Sequence, residues 1–224
     1  LAITGRAAPV ELILFSVFAL VAFMNFVNFM DGINGLVPGQ LVLLPLGAAL
    51  LFGVGGDVTP LLIALVLAGA MAGFIPFNFP HPRIFLGDVG SVPLGFSCGV
   101  LLMWMAVTAT DSALYKTLAV LPFYFYLEGS LTVIRRLCRG EKLSHAHREH
   151  FYQRLMRSGW SHARTTSWVW VLQLVVIALA CWQWRAGWRV EFLWLAAGLV
   201  WGGFFAYAET VFRRIQDDRT EGRK

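Results

Sequence analysis

Two short polar segments interrupt a chain of 224 residues that is otherwise rich in apolar side chains. The first reads NFVNFMDGINGL over residues 25–36, and the second reads FLGDVGS over residues 85–91. In the first, Asn25, Asn28 and Asp31 are spaced by three residues, so on a helix they share one face. Because polar groups without partners are costly in an apolar surrounding, such a stripe predicts a functional site.

The first segment offers hydrogen-bonding chemistry. Asp31-Gly32 and Asn34-Gly35 are turn pairs, which end a helix and bring backbone amides close to a ligand. Carboxamides and a carboxylate at such a turn suit a nucleotide, a sugar or a metal-bound water. The alternative is a helix end capped by Asn and Asp, which explains a lone Asp-Gly pair better than it explains the whole string.

In the second segment Asp88 lies between two glycines, where its carboxylate can be approached from several directions. Ser91 and the first amides of the following helix form a helix N-terminus, which favours anions. A carboxylate beside it suits a Mg²⁺ ion that bridges diphosphate oxygens, because Mg²⁺ prefers one or two carboxylates together with phosphates and water. The alternative is that Asp88 only caps the helix that begins near Val92.

A third polar segment, residues 135–155, is basic and contains several histidines. His147 and His150 are three residues apart, so they are neighbours if the segment is helical. Together with Arg148 they suit phosphate binding, whereas zinc would require further ligands that the segment does not obviously supply. The alternative is an ordinary basic cytoplasmic loop that lies on anionic lipid headgroups.

The composition predicts a membrane protein. The chain is 58% hydrophobic and only 14% charged, which is typical of a polytopic membrane protein and outside the usual range of a soluble domain. The basic residues lie between apolar runs, so we expect the lipid bilayer and no nucleic acid as a partner. The three cysteines are far apart, without metal-ligand spacing, so neither a zinc site nor a structural disulfide is expected.

Seven apolar runs predict an all-α polytopic membrane protein, a bundle of about seven transmembrane helices. Gly, Pro and charged residues separate the runs, so we expect residues 1–224 to form a single membrane domain with a cytoplasmic basic, histidine-containing loop at 136–163. The runs are approximately 10–30, 37–53, 59–77, 91–109, 115–135, 164–184 and 191–212.

The distribution of charge predicts which side of the membrane carries the polar segments. Seven spans divide the 18 Lys and Arg residues between two sides, with the great majority on the side of both polar segments and the histidine loop. An excess of positive charge marks the cytoplasmic side. We therefore expect the site to face the cytosol. The residues on the opposite side are Arg6, Lys116, Arg185 and Arg189.

Together the three segments resemble the polyprenyl-phosphate N-acetylhexosamine-1-phosphate transferase superfamily. Residues 25–36 are similar to its NxxNxxDGxNGL string and residues 85–91 to its FxGDxGS string. The run AHREHFYQ at 146–153 is similar to its histidine-containing loop, in the form closest to the branch that initiates O-antigen synthesis. The resemblance covers most of the chain.

The resemblance implies transfer of a sugar-1-phosphate, expected to be N-acetylhexosamine-1-phosphate, from a UDP-sugar to undecaprenyl phosphate with release of UMP. It implies Mg²⁺, or alternatively Mn²⁺, as cofactor and the bacterial inner membrane as location, with a homodimer as an option. Asp88 would be the metal ligand. The expected catalytic residues are Asp31, Asp88 and His150, and the expected substrate-binding residues are Asn25, Asn28, Asn34, Phe85, His147 and Arg148.

The sequence also departs from the family pattern. Tyr152-Gln153 stand where later histidines often occur, which makes a pentapeptide-carrying substrate less expected, and Glu128 stands where many relatives have Asp. The family's paired-aspartate motif is absent from its usual place, so we expect that earlier spans precede Leu1 and that this chain alone is inactive. The alternatives to a transferase are a non-catalytic scaffold of the same fold and, ranked last, a secondary transporter.

Overall fold

The structure, a computed structural model, describes residues 10–53, 58–109, 111–142 and 149–221. Over these residues the chain is helical and forms no strand. The helices are α1 (Val10–Phe29), α2 (Leu36–Phe52), α3 (Thr59–Asn78), α4 (Gly87–Thr108), α5 (Ser112–Leu118), α6 (Phe123–Cys138), α7 (Phe151–Arg157), α8 (His162–Ala186) and α9 (Val190–Glu221).

The described helices confirm an all-α polytopic membrane protein, but they do not confirm the predicted count of about seven spans. Five helices are long and apolar enough to cross a membrane, namely α1, α3, α4, α8 and α9, and the bent pair α5–α6 makes a sixth. α2 is apolar but has only 17 residues, which is about 26 Å of helix. It is short because Gly35 and Gly53, the residues that flank it, both adopt positive φ and end the helical path.

The pair α5–α6 bends by 56° at residues 119–122. Pro122 has no backbone N–H and its ring excludes the carbonyl of the preceding turn, so a continuous helix cannot pass through it. The break lies in the core, where Leu121 is fully buried. Gln173 of α8 donates a hydrogen bond of 3.1 Å to the Leu121 carbonyl, which satisfies a backbone group that the break leaves without a helical partner.

α1 and α4 pack closely because α4 presents two glycines to α1. A Cβ atom at Gly95 would lie 3.1 Å from Val27, and one at Gly99 would lie 2.7 Å from Leu20. Small residues four apart let helix backbones approach in lipid. This contact holds the C-terminal end of α1, which carries the first polar segment, against the start of α4, which carries the second.

The turn between α1 and α2 is fixed by the end of α3 and by α8. The backbone N–H of Gly35 donates to Oδ1 of Asn78 at 2.7 Å. Asn78 in turn donates to the Ile84 carbonyl at 2.9 Å. Trp170 of α8 donates to the Gly35 carbonyl at 3.2 Å. A single buried carboxamide therefore ties the first polar segment to the connection that leads into the second.

α7 lies against α9, within the segment 136–163 that the sequence predicts as a loop. The buried guanidinium of Arg154 donates to Glu209 of α9 and to Glu149, at 2.6 Å in each case. Charge-assisted bonds of this length are among the stronger hydrogen bonds in proteins. The segment is therefore partly helical and docked onto the bundle.

Candidate functional site

Asn28 joins the two polar segments. Its side-chain amide donates to Oδ1 of Asp88 and to Oγ of Ser91, both at 2.9 Å. Asn28 lies in the last turn of α1, whereas Asp88 and Ser91 lie in the first turn of α4. Because one carboxamide reaches both side chains, the orientation of the Asp88 carboxylate depends on the packing of α1 against α4.

Asp31 lies just beyond α1, in the turn that leads to α2. Its partial burial is the main reason that the pKa of its carboxyl rises from 3.8 to about 7. A hydrogen bond from the backbone of Gly87 lowers this pKa in part, and the negative charge of Asp88 raises it. The carboxyl groups of Asp31 and Asp88 are therefore close enough to repel each other when both are charged, and a positive charge between them would stabilise both.

These two carboxylates could take part in binding a divalent cation. Among the described residues no group of three or more His, Cys, Asp and Glu side chains could enclose a metal ion. Mg²⁺ does not require such a cage, because phosphate oxygens and water can complete its octahedron beside one or two carboxylates. Asp88 is exposed, so an ion can reach it. The residues therefore fit a hard divalent cation such as Mg²⁺.

Asn25 and Asn34 make different contacts from those of Asn28. The side chain of Asn25 donates to the Val21 carbonyl of its own helix at 2.7 Å. The side chain of Asn34 donates to the Pro80 carbonyl at 3.1 Å, while its own carbonyl accepts a bond of 2.7 Å from Thr166 of α8. Asn34 thus links three parts of the bundle at the turn. The predicted role of both residues in substrate binding stays a prediction.

Phe85 lies three residues before Asp88, and its ring is 72% exposed. An exposed aromatic ring three residues before Asp88 is available to stack on a planar ligand, which is the role that the sequence predicts for it. His147 and Arg148, the other predicted substrate-binding residues, lie outside the described residues.

His150, the third predicted catalytic residue, is held by a carboxylate of α6. Its Nδ1 lies 2.5 Å from Oε2 of Glu128. The other oxygen of Glu128 accepts a bond of 2.7 Å from the backbone N–H of Phe151. Both side chains are buried, Glu128 completely. The start of α7 is therefore anchored to α6 through one carboxylate.

Tyr152 brings the α7 segment onto the first polar segment. Its ring stacks on that of His150, with centroids 5.6 Å apart and an interplanar angle of 18°. Its hydroxyl donates to the Phe29 carbonyl at 3.4 Å and is so close to Gly32 that a Cβ atom there would collide with it. The structure thus brings Asp31 and Asp88 together directly and connects His150 to them through Tyr152.

Comparison with known proteins identifies the family. Residues 3–106, which contain both polar segments, match the family described as glycosyl transferase family 4. This part of the chain belongs to that family. The resemblance to polyprenyl-phosphate hexosamine-1-phosphate transferases is thereby confirmed. The histidine-containing segment lies outside the matched residues.

Several proteins similar to this chain are named as sugar-phosphate transferases. A probable undecaprenyl-phosphate N-acetylglucosaminyl 1-phosphate transferase of Bacillus subtilis is 30% identical over 59% of this chain and 37% of the relative. A decaprenyl-phosphate N-acetylglucosaminephosphotransferase of Mycolicibacterium smegmatis is 33% identical over 60% of this chain and 38% of the relative. A phospho-N-acetylmuramoyl-pentapeptide-transferase of Moorella thermoacetica is 34% identical over 67% of this chain and 45% of the relative. The chain spans less than half the length of each.

Two further features of this family member belong to the site. Glu128 and Asn78 are buried polar side chains that hold, respectively, the α7 segment and the first polar turn. The sequence offers a signal for Glu128, since it is an acid inside an apolar run, where ionisable residues are rarely without function. Asn78 follows the apolar run of α3 and looks like an ordinary helix end, so its sequence gives no comparable signal.

Proposed function

We propose that this protein transfers N-acetylhexosamine-1-phosphate from a UDP-N-acetylhexosamine to undecaprenyl phosphate and releases UMP. The observation that carries the proposal is the meeting of Asp31 and Asp88 at adjoining ends of α1 and α4, linked by Asn28. The names of the relatives support a polyprenyl phosphate as acceptor and an aminosugar phosphate as the group transferred.

In the proposed reaction an oxygen of the lipid phosphate attacks the sugar-bound phosphorus of the UDP-sugar. A new phosphorus–oxygen bond forms to the lipid phosphate, and the bond to the bridging oxygen of UMP breaks, so UMP leaves with that oxygen. Because the attacking oxygen is already anionic, the protein has little covalent chemistry to perform. Its main tasks are to align two anions and to offset their repulsion.

The side chains divide these tasks between them. Asp88, oriented by Asn28, is the proposed ligand of Mg²⁺, or alternatively of Mn²⁺, with Asp31 close to it. The bound metal ion supplies charge neutralisation at the diphosphate. Phe85 is exposed and is proposed to stack on the uracil ring. His150, on the segment docked by Tyr152, is proposed to contact the diphosphate.

We propose that this site faces the cytoplasm of a bacterial inner membrane. The end of the bundle that carries both polar segments also carries α7 and the arginines around it. At this end, the two carboxylates of Glu149 and Glu209 pair with five arginines, so positive charge exceeds negative charge in this cluster. An excess of positive charge favours the cytoplasmic side. The paired arginines are Arg135, Arg139, Arg154, Arg157 and Arg213.

The test is release of UMP by the protein expressed from its complete gene and reconstituted in nanodiscs. The reaction contains UDP-N-acetylglucosamine, undecaprenyl phosphate and Mg²⁺. We expect turnover by the wild type and a loss of ~100-fold or more in Asp88→Asn, since this variant removes the proposed metal ligand without changing the shape of the side chain. EDTA should abolish turnover, and added Mg²⁺ should restore it.

Asp111→Asn is the matched control. Asp111 caps α5 by accepting a bond of 2.8 Å from Ala113, and Asn is an equally good cap. It should retain activity close to that of the wild type. A folded wild-type protein that releases no UMP from either UDP-N-acetylglucosamine or UDP-N-acetylgalactosamine would contradict the proposal and favour a non-catalytic scaffold of the same fold.

A further inference from the structure

Glu128 is a carboxylate in the middle of α6 with no exposed surface. Its two oxygens are both used, one by Nδ1 of His150 at 2.5 Å and the other by the backbone N–H of Phe151 at 2.7 Å. A buried carboxylate is costly unless it is paired and hydrogen-bonded. This one is fully bonded, and both of its partners lie at the start of α7.

A structural role alone does not account for an acid at this position. Holding the first amide of a seven-residue helix requires only a neutral acceptor such as the oxygen of Ser, Thr or Asn. The carboxylate adds two properties that a neutral acceptor lacks. Its second oxygen accepts a hydrogen bond from Nδ1 of the imidazole while the first holds the Phe151 amide, and its negative charge offsets positive charge on the ring.

The contact also decides which ring nitrogen can serve the site. Since Nδ1 is engaged by Glu128, any contact of His150 with an anion must use Nε2. The ring plane is fixed by stacking on Tyr152, whose hydroxyl reaches the Phe29 carbonyl within the first polar segment. The imidazole is therefore restrained on one edge by Glu128 and on one face by Tyr152.

We infer that Glu128 acts through His150 as a positioning residue for the proposed transferase reaction. By accepting a hydrogen bond from Nδ1, Glu128 sets the tautomer and orientation of the ring, so that Nε2 is presented to the diphosphate of the nucleotide sugar. A buried carboxylate that orients a catalytic histidine in this way acts without touching substrate. The inference rests on the function proposed above.

Glu128→Gln is the informative substitution because it keeps size and keeps an oxygen for the Phe151 amide. The side-chain NH₂ of Gln would then face Nδ1 and force it to act as an acceptor, which reverses the tautomer. We expect kcat to fall about tenfold or more, while KM for the UDP-sugar changes by less than about threefold. Glu128→Asp keeps the charge and should recover part of the loss.

Thr132→Val is the matched control. Thr132 lies one turn after Glu128 on α6 and is almost as deeply buried, and its hydroxyl has no hydrogen-bond partner among the described residues. Val has nearly the same shape, so this variant perturbs the same helix without touching His150. It should keep the wild-type kcat.

A double-mutant cycle separates positioning from folding. If Glu128 acts only through His150, then Glu128→Gln should cost less than about twofold in kcat when it is added to His150→Gln. If the loss of kcat in the double variant equals the product of the losses in the two single variants, the inference is overturned. Inactivity of the wild type toward every nucleotide sugar would overturn the proposed function, and this inference with it.

The second readout does not depend on turnover. In protein labelled with ¹⁵N-histidine, the wild type should show a strongly downfield Nδ1–H proton signal that disappears in His150→Gln and in Glu128→Gln and persists in Thr132→Val. A signal unchanged by Glu128→Gln, or its absence from the wild type, would exclude the Glu128–His150 pair. If the downfield Nδ1–H signal is present but the wild type releases no UMP, the Glu128–His150 pair exists and the proposed transferase function is wrong.

Discussion

Asn28 and Asp88 are 60 positions apart in the chain, yet the amide of Asn28 lies 2.9 Å from the carboxylate of Asp88. The same amide also donates to Ser91, so it spans the first turn of α4. Because an ionised carboxylate only accepts hydrogen bonds, this donor fixes one oxygen of Asp88, the proposed metal ligand. Gly95 and Gly99, further along α4, let the two helices approach closely.

We therefore predict that Asn28→Leu lowers the rate of UMP release by roughly 10- to 100-fold, because the Asp88 carboxylate loses its donor and Ser91 loses a partner. The loss should be accompanied by a higher Mg²⁺ concentration for half-maximal rate. Ser97→Ala is the control on α4, since the Ser97 hydroxyl donates to the Pro93 carbonyl of its own helix. An unchanged Mg²⁺ requirement in Asn28→Leu would separate Asn28 from the metal site.

The sequence predicted the helical class and the common side of the two polar segments, because composition and the spacing of Asn and Asp are local signals. It predicted Asn25, Asn28 and Asp31 on one helix face, but α1 ends at Phe29 and Asp31 lies in the turn. The count of about seven spans is not confirmed, because α2, which the sequence predicts as a span, has only 17 residues. The Glu128–His150 contact could not be predicted, since it depends on how α7 docks across the bundle.

The raised pKa of Asp31 predicts how stability depends on pH. The unfolded chain releases this proton near pH 3.8, whereas the folded protein holds it up to about pH 7. In this window the folded state binds more protons, so raising the pH lowers the free energy of unfolding. In EDTA, the thermal midpoint in detergent should therefore fall by a few degrees between pH 5 and pH 8.

Asp31→Asn should flatten this dependence, because it removes the titrating group. Mg²⁺ at pH 8 should raise the wild-type midpoint, since a cation near both carboxylates stabilises their charged forms. Asp111→Asn, at the other end of the bundle, should keep the wild-type pH dependence. A wild-type midpoint that rises from pH 5 to pH 8 in EDTA would contradict the burial of Asp31 as the dominant effect.

The orientation in the membrane can be tested at two exposed positions. Lys142 follows α6 at the end of the bundle that carries α7, and Trp188 lies between α8 and α9 at the opposite end. In a background without the three native cysteines, an impermeant maleimide should label Trp188→Cys in intact spheroplasts. It should label Lys142→Cys only after permeabilisation. The reverse pattern would move the site to the outer face, away from cytosolic nucleotide sugars.

The contact between Gly32 and the Tyr152 hydroxyl predicts a pair of compensating substitutions. Gly32 does not adopt positive φ, so its backbone accepts alanine, but the added methyl group would collide with the hydroxyl. Gly32→Ala should therefore push Tyr152, and with it His150, away from the first polar segment, and kcat should fall about tenfold.

Tyr152→Phe removes the colliding oxygen, and with it the bond of 3.4 Å that the hydroxyl donates to the Phe29 carbonyl and the bond of 3.2 Å that it accepts from the side chain of Gln153. The double variant Gly32→Ala with Tyr152→Phe should consequently be more active than Gly32→Ala alone, which is the reverse of what two independent losses would give. Gly69→Ala on α3 serves as the control, since a methyl group there meets nothing within 4 Å. If the double variant is less active than Gly32→Ala, the position of α7 does not depend on this contact.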